Sequence, residues 1–334
     1  MANTDRRYFL SAQLGVVFSE EEDVAVVLCS EVSSGEMRKS VNVQVQHYNT
    51  STAWSRGLNG SPPAALTVFL VGRTENPEQD KVIANEVKDE GDVLLGNYKD
   101  SYRNLTLKTV HGLIWAGMHL KPLYVLKTDD DCFVNTKVLN DVLTGDIAFR
   151  LNRLGSPARR VAFTMLQNVT PEKKVVDAKT LTVETPLSMF SGFQEYSSAL
   201  YVGSIRWENE VVRDAKNRWY VSEQDFSASQ YPPYPSGAGY VLDATALSLF
   251  IRTVRYVRPF ANEDAYVGSV LNEAGVEPQH SSRFSARTSS FWTCNLLYLV
   301  VIHGVQPAEQ AGLVKRVQEA KQECRGLEVE LGWN

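Results

Sequence analysis

The chain has few cysteines and no surplus of basic residues, and both features exclude whole classes of protein. Its 334 residues include four cysteines, Cys29, Cys132, Cys294 and Cys324, which are too few for a disulfide-built scaffold and lack the paired spacing of a zinc site. The formal net charge is −5. Nucleic-acid binding is not expected, because little positive charge is available to neutralise phosphates.

Long hydrophobic runs are also missing. No window reaches the ~18 apolar residues that a membrane-spanning helix needs, and the N-terminus carries no signal-peptide run, so we expect a soluble chain. Asn-x-Ser/Thr sequons begin at Asn49, Asn59, Asn104 and Asn168. They favour a secretory-pathway location only slightly, since such triplets are common by chance.

What is present is an alternation of strand-like and helix-like segments. Apolar runs at Asp23–Val32, Leu66–Gly72 and Leu123–Leu126 predict buried strands, and the patterns of Glu78–Glu90 and Arg103–Leu120 predict helices. Hydrophobic residues make up 43% of the chain, which is enough for a large folded core. Strands that alternate with helices predict an α/β fold with a mostly parallel central sheet flanked by helices.

The third of these strands runs directly into three carboxylates, Asp129, Asp130 and Asp131. Adjacent carboxylates repel and are costly to desolvate at a strand end, whereas a bound divalent cation would neutralise them. Ligands of parallel sheets also bind at the carboxyl ends of the strands. An aspartate triplet alone is equally compatible with a solvated turn or a helix N-cap, so the residues leave both interpretations open.

Two further positions carry candidate chemistry. Glu263 and Asp264 precede an apolar helical run, where acids either complement the helix dipole or aim a catalytic base into a site. His303 ends the apolar strand-like run Tyr298–Gly304. A histidine there is either a hydrogen-bonded core residue or, with the aspartates, a ligand for Mn²⁺.

The second half of the chain has a less regular sequence pattern. Residues 145–200 show no clear periodicity, which is typical of a lid, a variable insertion or disorder. Tyr231–Tyr240 predicts a rigid aromatic loop, and Val241–Val254 predicts a strand or a helix. The glycines of the loop, Gly237 and Gly239, suit either close backbone approach to a ligand or a plain tight turn.

Together these segments resemble the β-1,3-galactosyltransferase family, inverting glycosyltransferases that also include β-1,3-N-acetylglucosaminyltransferases and Fringe-like enzymes. The resemblance covers residues 24–144 and 200–324. The matching segments follow the family order: Phe69–Arg73, Tyr98–Thr109, Tyr124–Asn135, Arg218–Val221, Tyr231–Leu242, Glu263–Gly268 and Cys294–His303.

The resemblance implies a GT-A type fold and a division of the chain into five parts. These are an N-terminal extension (1–22), a nucleotide-sugar-binding half (23–144), a variable insertion (145–200), an acceptor-binding and catalytic half (201–324) and a C-terminal tail (325–334). It also places Cys294 and Cys324 where a disulfide would form.

The implied reaction is Mn²⁺-dependent transfer of a hexose, expected to be galactose, from a UDP-sugar to a hydroxyl of a glycan acceptor. Asp129 and Asp131, with His303, would hold the metal beside the diphosphate. Asp264 would be the general base, with Glu263 as the substitute candidate.

The resemblance also assigns binding residues. Those expected on the donor side are Arg38, Arg73, Lys108, Asp129 and Asp130. Those expected to shape the sugar pocket are Trp219, Tyr231, Tyr234, Gly237 and Gly239, since aromatic faces stack on sugar C–H surfaces.

Departures from the family pattern leave more than one function open. Asn42 stands where a second arginine is usual, which favours an inactive glycan-binding or chaperone relative. The sequence is also compatible with transfer of N-acetylglucosamine or N-acetylgalactosamine, with a metal-dependent phosphohydrolase and with a homodimer. Family members are normally anchored in the Golgi, so the Golgi lumen is expected, and the chain without an anchor is then a catalytic fragment, an incomplete gene product or a soluble form.

Overall fold

A computed structural model of the chain describes residues 23–29, 64–90, 93–153, 199–207, 209–285, 292–326 and 332–333. The strands are β1 (Asp23–Cys29), β2 (Ala64–Arg73), β3 (Val93–Lys99), β4 (Tyr124–Asp129), β5 (Cys132–Val134), β6 (Tyr201–Arg206), β7 (Tyr234–Asp243), β8 (Gln279–His280), β9 (Phe284–Ser285) and β10 (Val301–His303). The α-helices are α1 (Pro77–Glu90), α2 (Leu105–Trp115), α3 (Thr136–Arg153), α4 (Ala244–Thr253), α5 (Glu263–Glu273) and α6 (Pro307–Glu323).

Among the described residues, the central sheet contains seven strands in the order β3-β2-β1-β4-β7-β6-β8. The first four are mutually parallel, and β7 runs antiparallel to both β4 and β6. The predicted α/β fold with a mostly parallel sheet is therefore confirmed. A 3-2-1-4 strand order directs ligands to the crevice at the carboxyl ends of β1 and β4.

Strand β4 lies in the middle of this sheet and is buried on both faces. Val125 packs with the apolar residues of α2, α4 and α5, whereas Tyr124 and Leu126 pack on the opposite face with residues of α3. Such two-sided burial explains the apolar run Tyr124–Leu126 at the start of the strand. It also explains why its first carboxylate, Asp129, comes only at the strand end.

A second, three-stranded sheet holds the other side of the site. Strand β10 pairs antiparallel with β5 and parallel with β9. The short 3₁₀ helix Thr293–Leu297 precedes β10, and a disulfide between Cys294 and Cys324 ties it to the end of α6. The disulfide implied by the family resemblance is therefore present in the structure.

Several local predictions need correction. The predicted loop Tyr231–Tyr240 is mostly strand, because β7 begins at Tyr234 and pairs with β4 and β6, which lie far away in the sequence. Those pairings override the turn-like composition. Val241–Val254 is divided, since Asp243 ends the strand and caps α4. Within Tyr298–Gly304, only Val301–His303 is strand.

Some predictions fall on other parts of the chain. The N-terminal extension, Arg38 and residues 154–198 of the predicted insertion lie outside the described residues. Helix α3 crosses the predicted boundary at residue 144 and continues to Arg153. Among the helices described, none combines the length and the apolar character that crossing a bilayer requires.

Candidate active site

Two carboxylates and an imidazole meet at the carboxyl end of β4. Asp129 is the last residue of β4, and Asp131 lies in the turn to β5. Pairing of β10 with β5 sets His303 opposite Cys132, and the Val305 amide donates to the Asp131 carbonyl at 2.7 Å. The ligand atoms of the two aspartates and the histidine all lie within 4.8 Å of one another.

The electrostatics of this group favour a cation. Burial raises the pKa of Asp131, the charge of Asp129 raises it further, and His303, whose Nε2 lies 3.4 Å from Asp131 Oδ1, opposes the shift. Two carboxylate oxygens and an imidazole nitrogen form a donor set that suits Mn²⁺. Across the residues that the structure describes, no second group of three such side chains is as closely gathered.

Asp264 lies in the first turn of α5 and is held by two backbone amides. Its Oδ2 accepts from Gly237 N–H at 2.9 Å, and its Oδ1 accepts from Ala265 N–H at 2.9 Å. The contact with Ala265 is local, between adjacent residues of the first helical turn, but Gly237 belongs to β7. Burial raises the pKa of Asp264, with Asp129 among the charges that add to the shift. The half-buried carboxylate is thus oriented and still reachable, as a general base must be.

Glu263 has a different environment from its neighbour. The residue is 4% exposed, its Oε2 lies 3.0 Å from Lys127 Nζ, and its Oε1 accepts from the Tyr240 hydroxyl at 2.8 Å. Burial raises the pKa of Glu263, and the Lys127 charge opposes that shift. Both carboxylate oxygens are occupied inside the protein, so Glu263 acts as a buried counter-charge in this structure.

The predicted aromatic wall is largely internal. Tyr231 is 3% exposed and stacks on Phe260 with the ring centroids 5.4 Å apart, and Tyr234 is 7% exposed. These rings therefore support the pocket from behind. Trp219, at 47% exposed, has a face available to a ligand.

The two predicted pocket glycines, Gly237 and Gly239, each allow β7 to approach a different neighbour closely. A Cβ on Gly237 would lie 3.2 Å from Glu263 Oε2. Because glycine has no side chain, β7 can approach the carboxylates of Glu263 and Asp264 closely at this point. A Cβ on Gly239 would lie 3.1 Å from a Val301 methyl. Gly239 thus allows β7 to pack against β10, and Gly237 lies at the site itself.

The predicted donor-side residues do not form one cluster, and Arg73, Lys108 and Asp130 each lie in a different part of the structure. Arg73 is exposed at the end of β2 and donates from Nε to Asn97 Oδ1 at 3.1 Å. Lys108 is 1% exposed and forms a 2.6 Å ion pair with Asp100, whose other oxygen accepts from Gly72 N–H. A donor can reach the Lys108 ammonium only if this pair opens. Asp130 lies in the turn that joins β4 to β5, between Asp129 and Asp131.

Two residues near the site were not predicted as site residues. Tyr102 lies 4.3 Å under the Arg218 guanidinium, and the Asp264 charge is among those that raise its pKa, which burial raises most. Lys127 contacts Asp129 and Glu263 directly. A lysine inside an otherwise apolar strand was the available signal for Lys127, because an ammonium buried there requires anionic partners.

Comparison with known proteins gives consistent matches. A profile described as Galactosyltransferase matches residues 51–154 and 186–282, which is more than half of the chain. Beta-1,3-galactosyltransferase 4 of Rattus norvegicus is 30% identical over 266 residues, covering 78% of this chain and 64% of that protein. Beta-1,3-galactosyltransferase 1 of Homo sapiens is 26% identical over 258 residues, covering 77% and 64%. The chain therefore spans less than two thirds of the length of these relatives.

Proposed function

Because this chain belongs to the galactosyltransferase family, we propose that it is an inverting β-1,3-galactosyltransferase of GT-A type that uses UDP-galactose and a glycan acceptor. One observation carries the proposal. Gly237 donates its N–H to Asp264 Oδ2 at 2.9 Å and accepts from Lys127 Nζ at 2.9 Å, and Lys127 Nζ also lies 2.8 Å from Asp129 Oδ1, at the ligand-binding edge of the sheet. A candidate base and a candidate diphosphate site thus face one region.

The proposed cofactor is Mn²⁺, held by Asp129, Asp131 and His303. Support comes from the clustered donor atoms and from the raised pKa of Asp131, which burial causes first and the nearby charge of Asp129 increases, and which a bound cation would lower. When bound, the metal would supply positive charge to the diphosphate of the leaving UDP. Asp130 and exposed Arg73 are the proposed additional contacts on the donor side.

The proposed chemistry of the protein lies with Asp264. Its carboxylate accepts the proton of the acceptor hydroxyl while the hydroxyl oxygen forms a bond to the anomeric carbon. The bond from that carbon to the UDP oxygen breaks, and its electron pair leaves with the diphosphate. Because the attack comes from the face opposite the leaving group, the anomeric configuration inverts. The contacts with Gly237 and Ala265 keep the carboxylate oriented for this step.

The proposed acceptor side is the exposed face formed by Tyr102, Arg218 and Trp219. The Arg218 guanidinium lies 4.3 Å from the Tyr102 ring centroid and 5.5 Å from that of Trp219, which orders the three side chains. The exposed indole of Trp219 suits stacking on an acceptor sugar.

The proposed setting is the Golgi lumen. The Cys294–Cys324 disulfide supports an oxidising compartment, where such bonds persist. A homodimer stays a prediction.

A donor and acceptor screen tests the proposed function. We expect product from UDP-galactose on part of a glycan array in the presence of Mn²⁺, and none after chelation with EDTA. Product from UDP-N-acetylglucosamine or UDP-N-acetylgalactosamine instead would reassign the donor. Mn²⁺-dependent UDP binding without turnover on any acceptor would indicate an inactive relative, and release of phosphate from generic esters would indicate a phosphohydrolase.

The pH dependence of the reaction tests the proposed base. Burial raises the pKa of Asp264 above the ordinary aspartate value of 3.8, so protonation disables the base at a higher pH than for an exposed aspartate. We expect kcat/KM at saturating Mn²⁺ to be flat near neutrality and to fall about tenfold per pH unit once Asp264 protonates. A value of kcat/KM that stays constant down to about pH 4 would contradict this assignment.

A further inference from the structure

The Lys127 ammonium is completely buried between the two carboxylate centres. The residue is 0% exposed. Its Nζ lies 2.8 Å from Asp129 Oδ1, 2.9 Å from the Gly237 carbonyl oxygen and 3.0 Å from Glu263 Oε2. An ammonium has three N–H donors, so these three acceptors match its full capacity. The position of Nζ is therefore strongly restricted.

The three acceptors belong to different elements. Asp129 ends β4, Gly237 lies in β7 and Glu263 begins α5. The Gly237 peptide also donates its N–H to Asp264 Oδ2 at 2.9 Å. One side chain is thus joined directly to a proposed metal ligand and, through a single glycine, to the proposed base.

The residues around Lys127 restrict the movement of its hydrogen-bond acceptors. The Tyr240 hydroxyl holds the far oxygen of Glu263 at 2.8 Å. A Cβ at position 237 would lie 3.2 Å from Glu263 and 3.4 Å from Asp264, so the glycine is packed against both acids. Burying a lysine is costly, and its pairing with carboxylates on two elements links their positions.

We propose that Lys127 is a positioning residue that fixes the Asp129 carboxylate relative to the Gly237 peptide and thereby holds the metal site in register with Asp264. The inference rests on the proposed function, but its test measures metal binding rather than transfer. Lys127 is not a catalytic residue, since its ammonium is enclosed by protein atoms and has no path to a substrate.

A purely electrostatic role is the competing explanation. Lys127 could serve only to neutralise Glu263, and its removal alone would also change the charge near the cation. The paired variant Lys127→Met/Glu263→Gln separates these roles, because it removes one positive and one negative charge together. Glu263→Gln alone is the matched control, since Lys127 then still holds Asp129.

The first experiment measures Mn²⁺ binding to the metal-free chain by calorimetry, with the melting temperature of each variant. We expect Glu263→Gln to bind Mn²⁺ within about threefold of the unchanged protein, and the paired variant to bind about 10- to 100-fold more weakly at a similar melting temperature, which is typical for loss of a side chain that orients a ligand. Equal Mn²⁺ affinity in the paired variant and the control would overturn the positioning role.

A second measurement needs no substitution. With ¹⁵N-labelled lysine, the two ammoniums that are fully buried in the described part of the chain, Lys127 and Lys108, should give protected NMR signals. We expect one signal to shift when Mg²⁺ is added, because Lys127 shares Asp129 with the cation, and the other to stay, because Lys108 is paired with Asp100. Two unmoved signals at saturating Mg²⁺ would overturn the inference.

The two hypotheses fail in different ways. A protein that binds Mn²⁺ through the Lys127-dependent site but transfers no sugar would refute the proposed function and leave the positioning role intact. Transfer of galactose with Mn²⁺ affinity that is independent of Lys127 would do the reverse.

Discussion

Replacing Asp264 with asparagine is expected to lower kcat for galactose transfer by about 10²- to 10⁴-fold, the usual contribution of a general base. Asparagine keeps the size of the side chain but cannot accept a proton from the acceptor hydroxyl. Its carbonyl can replace only one of the two acceptor oxygens that face Gly237 and Ala265, so a loss of about 1 kcal/mol in stability is also expected. Steady-state transfer assays and thermal unfolding measure the two effects.

The control for this variant is Asp243→Asn. Asp243 also begins a helix and accepts a backbone amide, from Ala246 at 2.8 Å, and asparagine is an equally good N-cap. It lies six residues beyond Gly237 on β7, which is about 20 Å along a strand. We expect kcat of this variant to stay close to that of the unchanged protein. A full rate in Asp264→Asn would assign the base elsewhere, with Glu263 as the next residue to substitute.

Replacing Asp131 with asparagine is expected to lower Mn²⁺-dependent transfer by about 10²-fold or more, because metal stabilisation of a leaving group is worth several kcal/mol and about 1.4 kcal/mol is tenfold in rate. Asparagine keeps a neutral oxygen ligand but removes one of the two charges that would hold the cation. The weakening should be evident both in KM for Mn²⁺ and in direct Mn²⁺ titration.

Asp141→Asn is the matched control for charge. The Asp141 side chain is 38% exposed, against 36% for Asp131, and its carboxylate pairs with Lys137 on the surface of α3. Loss of this charge should leave Mn²⁺ affinity unchanged, since an exposed pair contributes little. If both variants lost affinity equally, net charge rather than ligation would explain the effect, and the metal assignment would fail.

The fold class followed from patterns that are local in the sequence. A buried parallel strand requires a continuous apolar run, and a helix beside the sheet requires an apolar stripe, so the alternation of both around Leu123–Leu126 was sufficient to predict a mostly parallel sheet. Strand β7 was missed for the opposite reason. Its proline and its two glycines are typical of a loop, and it is a strand because β4 and β6 pair with it.

The candidate site was predictable in composition but not in arrangement. Asp129, Asp131, His303 and Asp264 were all singled out before any geometry was known. The internal position of Tyr231 and the ion pairing of Lys108 were not foreseen, because burial depends on what the rest of the chain places around a side chain. For the same reason the sequence does not show that Glu263 is buried against Lys127 whereas Asp264 is only half-buried.

The sequence by itself determined the α/β class, the carboxylates at the end of β4 and the acids at the start of α5, since each depends on neighbouring residues and on strand or helix periodicity. Only the tertiary structure decided that His303 joins the aspartates, that Lys127 links Asp129 to Gly237 and that Asp264, rather than Glu263, stays reachable. The physical reason is distance along the chain: the Lys127–Gly237 hydrogen bond joins residues 110 positions apart, and it exists only because β4 and β7 are neighbours in the folded sheet.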